Sequence, residues 1–114
     1  MTIRILFLDQ DIWTVTPEGR IDVPAARALE DALNGLLDEG HARIIVDFSE
    51  ATYIASSGLK TVLAALRRAR GLGGEVRLAA LNARLADIFG MAGFDRVFAV
   101  HANTAEALQN FKPK

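Results

Sequence analysis

Two adjacent serines, Ser56 and Ser57, are the residues of this 114-residue chain best placed for chemistry. They lie in Ile54-Ala55-Ser56-Ser57-Gly58-Leu59. Before them runs Arg43-Ile44-Ile45-Val46-Asp47-Phe48, an apolar segment that reads as a buried strand. After them come Leu59, Val62, Leu63 and Leu66, at the spacing of an amphipathic helix. A serine hydroxyl at such a junction can cap the helix, by accepting a hydrogen bond from a backbone N–H that has no partner within it. The same junction favours negative charge, since free N–H groups and the positive end of the helix dipole converge there. A phosphate on either serine suits that electrostatics and is open to a partner. For a Ser-Ser pair taken alone the plainer reading is capping, and Ser57 reads as the structural member. Gly58 reads as a close-packing residue of the first turn. Thr61, one turn on, reads as solvated or bonded back to the helix.

Other chemistries find less support. The chain has no cysteine, which excludes disulfides, thiolate nucleophiles and cysteine-ligated metals. His41 and His101 are far apart, with no acid-rich spacing around them, and read as surface residues rather than metal ligands. The leading Gly of a Gly-x-Ser-x-Gly nucleophile elbow is absent, and no paired carboxylates stand out. Gly71-Leu72-Gly73-Gly74 lacks the Lys-Ser/Thr of a phosphate-binding loop. Net charge is −1 with acids and bases mixed, so neither nucleic acid nor an anionic membrane surface is indicated. Arg67-Arg68-Ala69-Arg70 falls in the last turn of a helix, where cations suit the dipole, and reads as a solvated end. A binding protein is expected, not an enzyme, with no cofactor and no metal.

The elements that must position the serines follow from periodicity. The length predicts a single domain over 1–114, and 51% apolar residues suffice for a proper core. No apolar run approaches the roughly 20 residues of a membrane span, and the start lacks a signal-peptide core, so a cytoplasmic domain is expected. Ile3 to Leu8 and Ile12 to Thr16 read as a hairpin around Asp9-Gln10-Asp11, with lone Trp13 packing on the sheet. Pro17 is placed at an edge or bulge. Asp22-Val23-Pro24 opens a helix whose apolar positions run from Ala25 to Leu37, and Glu39-Gly40 closes it. Asp22 is read equally as a cap and as a functional acid; Asp47, at a strand end, as site-facing or turn-capping. Then come the Arg43 to Phe48 strand, the helix after the serines and a strand over Glu75 to Ala79. Asn82 caps a helix over Leu85, Ile88 and Phe89, and Gly90-Met91-Ala92-Gly93 breaks it. A strand over Val97 to Val100 and a helix capped by Asn103-Thr104 follow, and Lys112-Pro113-Lys114 frays off. After the hairpin, strands and helices alternate, which predicts an α/β fold with parallel strands.

The ordered motifs resemble the STAS domain family, whose best-known soluble members are bacterial anti-sigma factor antagonists. Val15-Thr16-Pro17-Glu18-Gly19-Arg20-Ile21-Asp22 is similar to the family's strand ending in Gly-x-(Leu/Ile)-Asp. Ile44-Ile45-Val46-Asp47-Phe48-Ser49 and Ile54-Ala55-Ser56-Ser57-Gly58-Leu59 follow, the family's usual form of the second being an apolar residue and then Asp-Ser-Ser-Gly-Leu. Gly73-Gly74 and Ile88-Phe89-Gly90-Met91-Ala92-Gly93-Phe94 complete the set. The resemblance implies a small mixed sheet of about five strands with four helices. It also implies a switch. The first serine, Ser56 here, is phosphorylated by the anti-sigma factor, itself a serine protein kinase. The unphosphorylated antagonist binds that factor and releases a sigma factor for transcription, and a phosphatase restores the binding form. The partner face it implies is Asp22, Ser56, Ser57, Gly58, Leu59 and Lys60.

One position departs from the pattern: the usual Asp before the first serine is Ala55. Family members that vary here include unphosphorylated STAS subunits of lipid or solute transport complexes, which sets the alternative, a scaffold subunit. A small-ligand or nucleotide site at the same helix start is the third reading.

Overall fold

A computed structural model describes residues 2–111. The chain opens as the expected hairpin, β1 (Ile3–Asp9) antiparallel to β2 (Ile12–Pro17). Gln10 and Asp11 turn it with φ of 52° and 58°, the pair of left-handed residues whose twist matches a two-residue hairpin. Pro17 is tolerated because β4 (Arg43–Asp47) pairs with β2 only over Ile12 to Val15. Next come β3 (Gly19–Ile21) and α1 (Val23–Asp38), with Leu29, Leu33, Leu36 and Leu37 buried. After β4 follow β5 (Ala51–Ile54), α2 (Ser56–Gly71) and β6 (Glu75–Ala79). The chain closes with α3 (Ala83–Met91), a 3-10 turn over Phe94–Arg96, β7 (Val100–His101) and α4 (Thr104–Asn110).

Five strands form one mixed sheet in the order β1-β2-β4-β6-β7, antiparallel only at β1. Residues of α1, α2 and α3 share one core on one face; Ala107 of α4 and Phe111 join Ile12, Ile45 and Ala79 on the other. Central β4 is covered on both sides, and its Ile44, Ile45 and Val46 are fully buried, which is why its apolar run is continuous. Gly74 is obligatory: a Cβ there would lie 2.0 Å from the carbonyl oxygen of Ala42, at the entry to β6. The α/β architecture with four helices is as expected.

Two features differ from expectation. β3 and β5 make a second, two-stranded parallel sheet; at three and four residues they are too short for alternation to announce them. The last strand is not Val97 to Val100 but Val100–His101. The N–H groups of Val97 and Phe98 both turn back to the carbonyl of Phe94, and Phe98 packs in an aromatic cluster with Phe89 and Phe94. Those amides therefore cannot join a ladder. The expected fraying of Lys112-Pro113-Lys114 lies outside the described residues.

Candidate functional site

The small sheet builds the site. β3 and β5 run side by side with Ile21 opposite Ile54, and the Ala55 N–H donates to the Ile21 carbonyl at 2.9 Å. Each strand feeds a helix after one junction residue: Asp22 before α1 and Ala55 before α2. The two helices pack against each other and start side by side. Their positive ends therefore face the same way.

The two junctions are finished differently. Asp22 caps α1: its Oδ1 accepts from the Ala25 N–H at 3.1 Å, and Pro24 sits in the first turn. At α2 the cap position belongs to Ala55, in extended geometry (φ −84°, ψ 168°) and with no side-chain bond to give. This corrects the expectation that serine caps the helix. β5 runs through Ile54, so only Ala55 is left to turn the chain, and Ser56 and Ser57 are already helical. The N–H groups of both serines have no acceptor among the described residues.

The serines themselves divide. Ser56 is exposed, whereas the Ser57 hydroxyl is buried with no hydrogen-bond partner among the described residues. Gly58 is where the helix rests on the strands. A Cβ there would come within 2.6 Å of Ile54 Cγ1 and 3.0 Å of Ile21 Cγ2. Gly58 is buried and Leu59 packs against the core, so the expected partner face is open chiefly at Asp22, Ser56 and Lys60. Beside them a shallow groove between α1 and α2 is lined by Val23, Arg27, Ser57, Lys60, Thr61 and Ala64.

The other candidates take structural roles. Asp47 Oδ1 accepts from the Ser49 N–H at 2.9 Å and so caps the turn after β4. His41 is not a free surface residue: Nδ1 lies 2.8 Å from Asp11 Oδ1, and the ring lies against Trp13, which also touches Phe7. His101 is largely buried, between Arg77 Nη1 at 3.1 Å and Glu106 Oε1 at 3.3 Å. Nor are the arginines ending α2 a merely solvated end. Arg68 reaches Asn34 and Asp38 of α1; Arg70 reaches Glu75 and the Val97 carbonyl. Among the described residues no cluster of His, Cys, Asp and Glu could hold a metal ion, and no helix is long and apolar enough to cross a membrane.

Comparison with known proteins agrees with this geometry. The STAS domain pattern matches residues 8–107. BtrV of Bordetella bronchiseptica, named as an anti-sigma factor antagonist, is 33% identical over 90 residues, covering 79% of this chain and 77% of its own. An anti-sigma factor antagonist from Mycobacterium paratuberculosis shares the fold with a TM-score of 0.86, at 23% identity, over 95% of this chain and 91% of its own. The antagonist SpoIIAA in its unphosphorylated form superposes with a TM-score of 0.83 at 18% identity, over 95% and 94% of the two chains. In its phosphorylated form, from Bacillus, the score is 0.78, also at 18% identity, over 97% and 100%. The chain belongs to the STAS domain family and is of the anti-sigma factor antagonist type.

Proposed function

We propose that this protein is an anti-sigma factor antagonist switched by phosphorylation of Ser56. Unphosphorylated, it binds an anti-sigma factor that is a serine kinase, through Asp22, Ser56 and Lys60 and the groove between α1 and α2. A sigma factor is thereby released to transcription in the cytoplasm. Phosphorylated, it lets the partner go, and a phosphatase resets it. The protein is the substrate of this cycle and not a catalyst.

The observation that carries the reading is the exposed Ser56 hydroxyl at the start of a helix whose first two N–H groups have no acceptor among the described residues. A phosphoserine carries about −1.5 to −2 charges at neutral pH. At a helix N-terminus that charge is favourable, so the fold tolerates it. An interface shaped around a small neutral hydroxyl does not, because the added anion brings desolvation cost and repulsion beside Asp22. The relation to BtrV supports this reading, as does the fold shared with SpoIIAA, a protein known in both phosphorylation states.

A second reading rests on Ala55. Without the usual carboxylate beside the acceptor hydroxyl, a constitutive scaffold in a transport complex is the alternative. Intact mass of the protein from its native cells separates the two. The switch predicts a phosphate adduct that maps to Ser56, is lost in Ser56→Ala, and is mimicked by Ser56→Asp as lost partner binding. An unmodified mass across growth and stress, with binding indifferent to Ser56→Asp, would leave the scaffold.

A further inference from the structure

The five-stranded sheet ends differently at its two borders. β7 is only two residues long, and brevity is one way a sheet avoids pairing with another chain. β1 is seven residues long, holds neither lysine nor proline, and has its single bulge after Phe7. Its middle residues Ile5, Leu6 and Phe7 are 46%, 59% and 51% exposed. Successive side chains point to opposite faces, so this border is apolar on both.

The ladder shows which backbone groups are free. The Glu18 N–H donates to the Thr2 carbonyl at 3.0 Å, so Thr2 and Glu18 form a hydrogen-bonded pair. Such pairs alternate along antiparallel strands. Arg4 and Leu6 therefore turn their N–H and C=O to β2, while Ile3, Ile5 and Phe7 turn theirs outward. Pro17 agrees with this phase: it stands opposite Ile3, in a pair that needs no N–H from it.

We infer that a second copy of this chain pairs with this border, β1 to β1 and antiparallel. Leu6 meets Leu6 at a two-fold axis, and Ile5 and Phe7 exchange hydrogen bonds across it. This register joins outward-facing groups only. It sets an aromatic against a β-branched residue twice, a favourable cross-strand pair. The ends of β1 also carry opposite charge, Arg4 near one and Asp9 at the other. An antiparallel copy brings Arg4, which already shares Glu18 and Glu50 on the surface, toward the partner's acidic end. A parallel neighbour would set like against like. The two-fold pairing closes on itself and leaves no β1 edge exposed. Ser56 is not part of it, so the inference stands apart from the phosphorylation switch.

A contact one strand wide belongs with weak interfaces, below about 1,200 Å², so the dimer dissociates on dilution. Sedimentation equilibrium of the chain over a concentration series should show the mass rising from 12.3 kDa toward twice that value. Amide exchange followed by NMR should slow at Ile5 and Phe7 as concentration rises, with Arg4 and Leu6 unchanged. Phe7→Lys and Ile5→Lys, each checked for fold by circular dichroism at low concentration, should stay monomeric. A monomer at every concentration overturns the inference. So does a dimer that survives both substitutions, assembly beyond two copies, or concentration-dependent protection on Arg4 and Leu6 instead.

Discussion

α1 and α2 are both sixteen residues long, begin side by side, and follow parallel strands of one small sheet, yet their first turns are opposites. α1 is closed by its own chain: the Asp22 carboxylate takes the Ala25 N–H, and Pro24 occupies a first-turn position where a missing N–H is no loss. α2 is left open: Ala55 has no side-chain acceptor, and the N–H groups of Ser56 and Ser57 have no acceptor among the described residues. Two helix ends with the same packing thus differ in what they accept from outside. The closed one has already satisfied its dipole; the open one still attracts an anion. A phosphate added at Ser56 lands on the open end. On the proposed switch, the Asp22 charge next door adds to the negative charge that a partner would meet.

Four substitutions break or sharpen this contrast. The largest effect is expected at Gly58, where the start of α2 depends on a close approach to Ile54 and Ile21. Gly58→Ala should lower the unfolding free energy by about 1–3 kcal/mol, although alanine is the better helix former. Urea denaturation measures it, and an unchanged midpoint would mean α2 does not rest on the strands as described. Asp22→Ala should cost about 1 kcal/mol by opening α1; no loss in the same titration would deny the cap its role. Ala55→Asp tests the converse. It should stabilise by about 0.5–1 kcal/mol, making the two ends alike and restoring the family's usual residue. A destabilised protein would show that the extended backbone at Ala55 does not act as a cap position. Ser57→Ala is expected to be the mildest, neutral or stabilising by a few tenths of a kcal/mol, since it removes a buried hydroxyl that has no partner. A clear loss of thermal stability would point to a hydrogen bond from that hydroxyl.

The long elements were legible because their patterns are long. Sixteen residues of helical spacing announced α1, and the unbroken Ile44-Ile45-Val46 announced a strand covered on both faces. Asp22, Asn82 and Asn103 were legible as caps, and each accepts the N–H three residues on. Other parts were not legible, for specific reasons. β3 and β5 are too short to show alternation, and each exists only because the other lies beside it. Val97 to Val100 has the composition of a strand, but its amides and Phe98 are claimed by an aromatic cluster assembled from distant residues. By its sequence His41 reads as a surface residue, because nothing local to it shows Asp11, thirty positions earlier in the chain, at hydrogen-bond distance.

The sequence by itself determined the helices, the central strands, the family motifs and the presence of two serines at a helix start, since each is written in local spacing and residue type. Only the tertiary structure decided which residue holds the cap position. That choice depends on where β5 stops, and β5 stops where its pairing with β3 does. A shift of one residue separates a serine that caps from a serine that stands exposed at an open helix end. That difference is set by strand pairing across some thirty residues of intervening chain, beyond the reach of any local pattern.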